Sequence, residues 1–298
     1  MSKAKLKDRI KEGVFLLDGA MGTQLFLRGV KPGKCNDYLN IESPDIIFEI
    51  QRSYVDAGSD CLTSNTFSSN RYSLVRHGLG EQVVAINKAG AEIARKAVGI
   101  DGYVLGDISS TGDFLEPLGT LKADELQSAF AEQAKGLLEG GVDGFIIETM
   151  SALDEIEVAI KAVKSVCDLP IFVSLAFDAA GDDFRTMMGV SVEAAVEKLV
   201  PLGIDVIGFN CGTVSLEGYV KLAEKFSSAV KAGGFDVGLL AEPNAGLPEL
   251  VDEQAVYKVS SEDFAATAAQ IHSLGFNILG GCCGTSPELI KAVSEKLR

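Results

Sequence analysis

Eight times along its length this chain passes from a short apolar run of strand character into an amphipathic stretch of helical period. The apolar runs fall at 14–17, 61–67, 103–109, 144–150, 171–177, 206–211, 237–244 and 277–283. Helical patterns lie between them at 44–58, 82–98, 123–139, 152–166, 192–202, 216–229 and 262–274, and a last one at 287–297 closes the series. In the first, Ile46, Ile47, Ile50, Tyr54 and Val55 mark one helical face, Ser43 or Pro44 starts it and Gly58 ends it. Regular alternation of this kind calls for parallel strands joined by right-handed crossovers. Eight units in 298 residues is the size of a (β/α)8 TIM barrel. An open doubly wound sheet is the alternative, but its usual nucleotide signals, G-x-G-x-x-G after the first run or G-x-x-x-x-G-K-[ST], are missing. No linker or low-complexity segment interrupts the pattern, so a single domain is expected over 1–298, with residues 1–11 a charged extension, either a short helix or a frayed tail. Two loops, 25–40 and 246–261, are longer than connections require.

Composition narrows the function classes. No run approaches the roughly 18 apolar residues of a membrane span. The lysine-rich N-terminus lacks the apolar core of an export signal, which points to a cytoplasmic protein. A formal charge of −15 argues against nucleic acid or an anionic membrane as partner. Six cysteines are too few for a disulfide scaffold of this length, and in a reducing compartment clustered cysteines read as metal-binding or catalytic. With only His77 and His272 present, a His-rich metal site or a Ser-His-Asp arrangement has almost no candidates.

In a barrel of this kind the chemistry sits where the strands' C-terminal ends meet the following loops. Those ends carry Asp18, Asn65, Asp107, Glu148, Asn210-Cys211, Glu242-Pro243-Asn244 and Cys282-Cys283. Cys211, Cys282 and Cys283 thus gather at strands six and eight, flanking seven. A disulfide between adjacent cysteines is badly strained, whereas three thiolates suit Zn2+. No fourth cysteine or histidine joins them, which favours an open, catalytic site; Asn244, between the two cysteine-bearing strands, could fill the fourth position until substrate arrives. Zinc held by three thiolates is a poor acid toward water and well matched to a soft sulfur ligand, whose proton leaves on binding. The inferred reaction is alkyl transfer to a zinc-bound thiolate. Asp18 and Glu148 could hold a substrate ammonium, and the Gly19-Ala20-Met21-Gly22 turn could present N–H groups to a carboxylate. Thiol, ammonium and carboxylate together describe a thiol amino acid.

The chain resembles the homocysteine S-methyltransferase domain family from about residue 12 to its end. The resemblance is carried by Asp18-Gly19-Ala20-Met21-Gly22-Thr23, Thr63-Ser64-Asn65-Thr66-Phe67, Gly106-Asp107-Ile108, Glu148-Thr149-Met150, Gly208-Phe209-Asn210-Cys211, Glu242-Pro243-Asn244-Ala245-Gly246 and Gly280-Gly281-Cys282-Cys283-Gly284-Thr285. It implies a zinc barrel with Cys211, Cys282 and Cys283 as ligands, and homocysteine held by Asp18, the turn after it and Glu148. Within the family the chain is most similar to the N-terminal domain of cobalamin-dependent methionine synthase, which implies methylcobalamin, carried by a separate corrinoid module or protein, as methyl donor. Ser64 departs from the family's usual threonine. A small donor such as betaine or S-methylmethionine is the first alternative, and a non-catalytic, zinc-stabilised docking subunit the second.

Plainer roles stand beside these. The three cysteines could be buried core thiols, Asp18 a turn cap, Glu148 half of a structural ion pair, and Asn65 and Asn244 loop ties. Asp107 reads as structural, Cys35, Cys61 and Cys167 as ordinary thiols, and Met187-Met188 as packing.

Overall fold

The computed structural model describes residues 3–31, 33–181, 183–251 and 254–298, with no side chains described over 250–255. Eight parallel strands form the barrel: β1 (Phe15–Leu16), β2 (Cys61–Thr63), β3 (Tyr103–Ser109), β4 (Gly144–Met150), β5 (Ile171–Leu175), β6 (Val206–Asn210), β7 (Gly238–Glu242) and β8 (Ile278–Leu279). Their order is β1-β8-β7-β6-β5-β4-β3-β2. β1 and β2 share no ladder; side-chain bonds and one backbone bond close that seam. Asp60 Oδ2 accepts Leu16 N–H at 2.8 Å, Asp60 N–H returns to Leu16 O at 2.8 Å, and Ser59 Oγ donates to Leu17 O at 3.0 Å.

The expected helices form at α1 (Pro44–Asp56), α2 (Val83–Val98), α3 (Ala123–Glu139), α4 (Leu153–Val166), α5 (Val192–Leu199), α6 (Leu216–Gly233), α7 (Ser261–Ser273) and α8 (Pro287–Leu297). Their ends follow local chemistry. Ser191, Ser215 and Ser260 each accept a first-turn N–H at 3.1 Å, Pro44 and Pro287 occupy the first turn, and Gly234 leaves α6 in the left-handed conformation.

Strand periodicity divides the core in two. Val104, Ile108, Phe145, Ile147, Val173, Ile207, Phe209 and Leu239 face out, into the layer covered by the helices. Phe15, Leu17, Cys61, Tyr103, Leu105, Ile146, Phe172, Val206, Leu240 and Ile278 face in and fill the barrel's lower half. Leu6 and Ile10 join that inner cluster, so the segment holding the short helix Leu6–Arg9 plugs the barrel floor; of the two expectations for residues 1–11, the short helix holds. Continuing the alternation upward, the inward positions at the strands' upper ends are Thr63, Asp107, Glu148, Ser174, Asn210 (beyond Gly208), Glu242 and Gly280. The inner face changes from apolar to polar within one layer.

Several strands are shorter than their apolar runs. β2 stops at Thr63, β6 at Asn210, β7 at Glu242 and β8 at Leu279. Two hairpins were not expected: Asp178–Ala180 with Asp183–Arg185 after β5, and Glu249–Val251 with Gln254–Val256 after β7. Residues 32 and 252–253, within the two long loops, lie outside the described residues.

Candidate functional site

The thiols sit just beyond the strands, in the first residues of the loops. Cys211 follows β6 with φ 55, in the left-handed region disfavoured for a side-chain-bearing residue. Its N–H reaches Glu242 O at 3.3 Å and its carbonyl accepts the Tyr219 hydroxyl at 2.8 Å. Gly212 continues the turn at φ 78, where an added Cβ would stand 1.9 Å from Phe177 O. Beyond β8, Gly281 N–H bonds Asp18 O at 3.0 Å, Cys282 N–H bonds Pro243 O at 2.9 Å, and Cys283 O accepts Ala245 N–H at 2.9 Å. The two turns are thereby stitched across β7.

This brings the sulfurs of Cys211, Cys282 and Cys283 within 4.8 Å of one another, with 3.9 Å between Cys211 and Cys283. Tetrahedral ligands at a Zn–S distance near 2.3 Å stand about 3.8 Å apart, which the Cys211–Cys283 spacing of 3.9 Å matches. Asn244 is tied by its N–H to the Tyr219 oxygen at 3.2 Å and by Nδ2 to Gly212 O at 2.9 Å. Its Oδ1 is buried with no partner.

Beside the thiols lies a cavity of about 310 Å3. Its lining includes Asp18, Asp37, Asp107, Glu148, Glu242 and all three thiols, and no Lys, Arg or His among the described residues. Glu148 Oε2 accepts Asn210 Nδ2 at 2.7 Å. The same amide nitrogen reaches Thr149 Oγ1 at 2.6 Å and Cys282 Sγ at 3.7 Å, while Asn210 Oδ1 takes Ser174 Oγ at 2.8 Å. Asp18 accepts Thr63 N–H at 3.1 and 3.2 Å and Thr63 Oγ1 at 3.0 Å, sealing the upper part of the β1–β2 seam.

The family follows from sequence comparison. The chain matches the homocysteine S-methyltransferase family over residues 15–297. It is 31% identical, over 97% of its length, to methionine synthase of Mycobacterium tuberculosis and equally to that of Mycobacterium leprae. It belongs to the homocysteine S-methyltransferase family. The chain spans 25% of the length of those two relatives. The metallated homocysteine methyltransferase MmuM from Escherichia coli shares the fold of this family member, with a TM-score of 0.79 at 22% identity, covering 98% of this chain and 100% of that one. A methyltransferase from Methanosarcina mazei does so at 0.62 and 12%, covering 99% and 97%.

Placed in this family barrel, Asp18, Glu148, Cys211, Cys282 and Cys283 all line one cavity, together with Gly19, Ala20 and Met21. Asn244 is not part of the lining; its side chain is tied to Gly212 O, next to Cys211 in sequence. The glycine turn is only partly free: Ala20 N–H is spent on Thr285 O at 3.0 Å. Above it the helix Met21–Leu27 begins, and first-turn amides have no intrahelical acceptor. Gly19 permits that approach, since a Cβ there would meet Thr285 O at 2.7 Å. Asn65 acts as a loop tie, donating to Asn36 O at 2.9 Å and Asn40 Oδ1 at 3.0 Å.

Three residues of the site were passed over as functional in the sequence. Asn210 links Glu148 to the thiols. Asp107 and Glu242, each 4% exposed, project into the cavity. Inward alternation from Leu105 and Leu240 is the signal that identifies both.

Buried acids without cations resist ionisation. Burial pushes Asp18 up to about 7 against the pull of its Thr63 bonds, with the Glu148 charge adding. Burial pushes Glu148 up to about 7 as well, while a hydrogen bond with Asp107 works the other way. Asp107 and Glu242 rise too, each first by burial and then by the Glu148 charge. Among the thiols, hydrogen bonds from Cys282 and then Cys283 lower Cys211, so it is the first of the three to ionise.

Proposed function

We propose that this barrel binds zinc through Cys211, Cys282 and Cys283 and methylates the thiol of homocysteine to give methionine, with methylcobalamin on a separate corrinoid protein or module as donor. The observation that carries this reading is the three-thiol cluster opening onto an acidic cavity that holds no basic side chain among the described residues. Cys211, Cys282 and Cys283 would hold the zinc, which would supply the Lewis acidity that lets a substrate thiol lose its proton near neutral pH.

The chain's own residues select and orient the substrate. Glu148 and Asp18 accept from the α-ammonium, and the first-turn amides above Ala20 face the α-carboxylate. Asn210 fixes the Glu148 carboxylate relative to Cys282, which sets the distance between ammonium and sulfur. A cavity of about 310 Å3 is at the small end of the ligand-pocket range of about 300–1,000 Å3. The donor therefore approaches from outside. The sulfur lone pair forms the new S–C bond, and the donor keeps the electron pair of the bond that breaks.

Support for a large donor comes from the loops around the mouth. Phe26, Leu27, Phe67, Phe114, Leu118 and Met187 are all exposed there, with Leu27, Leu118 and Met187 at 70% or more. Apolar groups held out at a barrel rim suit a macromolecular partner better than a small solute. The test is methionine formation by zinc-loaded protein offered methylcobalamin, betaine or S-methylmethionine. Turnover with methylcobalamin alone is expected. Turnover with a sulfonium or ammonium donor reassigns the donor, and none with any donor favours a docking subunit.

A further inference from the structure

Asp107 is buried in the cavity wall, and its chemistry is unused by the reading above. Its main chain is held at three points. Its N–H donates to Ser64 Oγ at 3.0 Å, and its carbonyl accepts Thr66 Oγ1 at 2.8 Å and Gln133 Nε2 at 3.3 Å. The β3–β4 register pairs Ser109 with Glu148, so Asp107 sits one pleat below Glu148 on the neighbouring strand, facing the same way. The Glu148 charge, after burial, opposes ionisation of Asp107. Asp107 Oδ1 has no partner at all, although the residue is only 4% exposed.

An unpaired, buried carboxylate oxygen is costly unless something occupies it. No Lys, Arg or His among the described residues lines the cavity, so the cation must arrive with the ligand. An ammonium carries three N–H donors. Glu148 and Asp18 already accept bonds from Asn210 and Thr63. Asp107 offers an oxygen that accepts none.

We propose that Asp107 contacts substrate, taking one N–H of the α-ammonium beside Glu148, and so sets the selectivity for an amino acid over a thiol that lacks the amino group. This rests on homocysteine as the ligand. The neighbouring acid in the ammonium seat makes a neutral substitute at 107 tolerable for a thiol acid and harmful for a thiol amino acid. Ser64 Oγ, bonded to Asp107 N–H and 2.6 Å from Thr66 Oγ1, holds the strand end where this requires.

The test compares homocysteine with 4-mercaptobutanoate, its analogue without the amino group, by calorimetric titration of zinc-loaded wild type and Asp107→Asn. Expected is about a ten-fold or greater loss of homocysteine affinity in the variant, with mercaptobutanoate affinity unchanged or improved. Zinc content and Tm are measured alongside, and Asp107→Ser repeats the comparison if Asp107→Asn folds poorly. Unchanged homocysteine affinity, an equal loss for both ligands, or failure of both variants to fold overturns the proposal. Wild-type protein that binds no homocysteine overturns the functional reading instead.

Discussion

The side-chain nitrogen of Asn210 lies 2.7 Å from Glu148 Oε2, and the oxygen of the same amide takes the Thr149 N–H at 2.9 Å. Asn210 is followed by Cys211 at φ 55, and Glu148 by Thr149 at φ 56. Two left-handed residues of this kind cost about 1–3 kcal/mol each. Both flank one amide, which orients the acid on one side and the thiolate turn on the other.

Replacing that amide therefore disturbs both halves of the site. Asn210→Ala leaves Glu148 Oε2, Thr149 N–H and Ser174 Oγ without their bonds in a fully buried position. Urea unfolding is expected to show a loss of roughly 2–4 kcal/mol, and zinc and homocysteine affinities fall together. A variant as stable as wild type, with unaltered affinities, would show that Asn210 only fills space.

The turn after Cys211 allows a sharper test of backbone geometry. Gly212 has φ 78, and the atom nearest an added Cβ is the Phe177 carbonyl at 1.9 Å, which belongs to the main chain and cannot swing aside. Gly212→Ala is expected to destabilise by more than about 3 kcal/mol and to lower zinc affinity, because relief of the clash moves Cys211. Metal analysis after dialysis against a weak chelator, with a melting curve, measures both. Normal zinc retention and Tm would mean the turn adapts freely.

How much of this could be read from the chain depends on the range of the contacts involved. The eight alternations and their period of two identify the barrel, and the same parity places Asp107, Glu148, Asn210 and Glu242 on the inside. The thiol cluster follows once strands six and eight are known to flank seven. The spacing of Leu6 and Ile10, four apart, is the signal for the helix that plugs the floor. The hairpins after β5 and β7 were not legible, because three-residue strands leave too short a pattern. Nor was the use of Ala20 N–H by Thr285 O, or of Asp18 by Thr63, since these bonds join residues far apart in sequence. Asp18 accordingly combines two of the roles its sequence allowed, a tie at the end of β1 and an acid in the cavity.

That double position of Asp18 gives stability a definite pH dependence. Its folded-state value of about 7 stands above the ordinary 3.8, mainly through burial. Between those values the folded state binds more protons than the unfolded chain, so stability falls as pH rises. The contribution is complete below 3.8 and lost through about 7, with a total of roughly 4 kcal/mol. Asp18→Asn removes this share. Unfolding free energies of wild type and variant, both metal-free, should differ in slope between pH 5 and 8, the variant being flatter. Parallel curves would place the Asp18 proton elsewhere.

The orphaned Asn244 oxygen leads to a prediction about the metal. Among the described residues the three thiols are the only group of His, Cys, Asp or Glu donors close enough together to hold an ion. Asn244 Oδ1 is buried, without a hydrogen bond, on a side chain held by the carbonyl of Gly212, the residue after Cys211. Zinc-loaded protein without substrate is therefore expected to give an X-ray absorption spectrum of three sulfurs and one oxygen or nitrogen donor, and four sulfurs after homocysteine is added. Cys211→Ala should lose zinc affinity by more than about 100-fold while the barrel still folds, since the cores inside and outside the strands do not depend on that thiol. Asn244→Ala should keep zinc and bind homocysteine at least as tightly, because no internal ligand has to be displaced. Four sulfurs before substrate is added would remove Asn244 from this role and make the site a closed one.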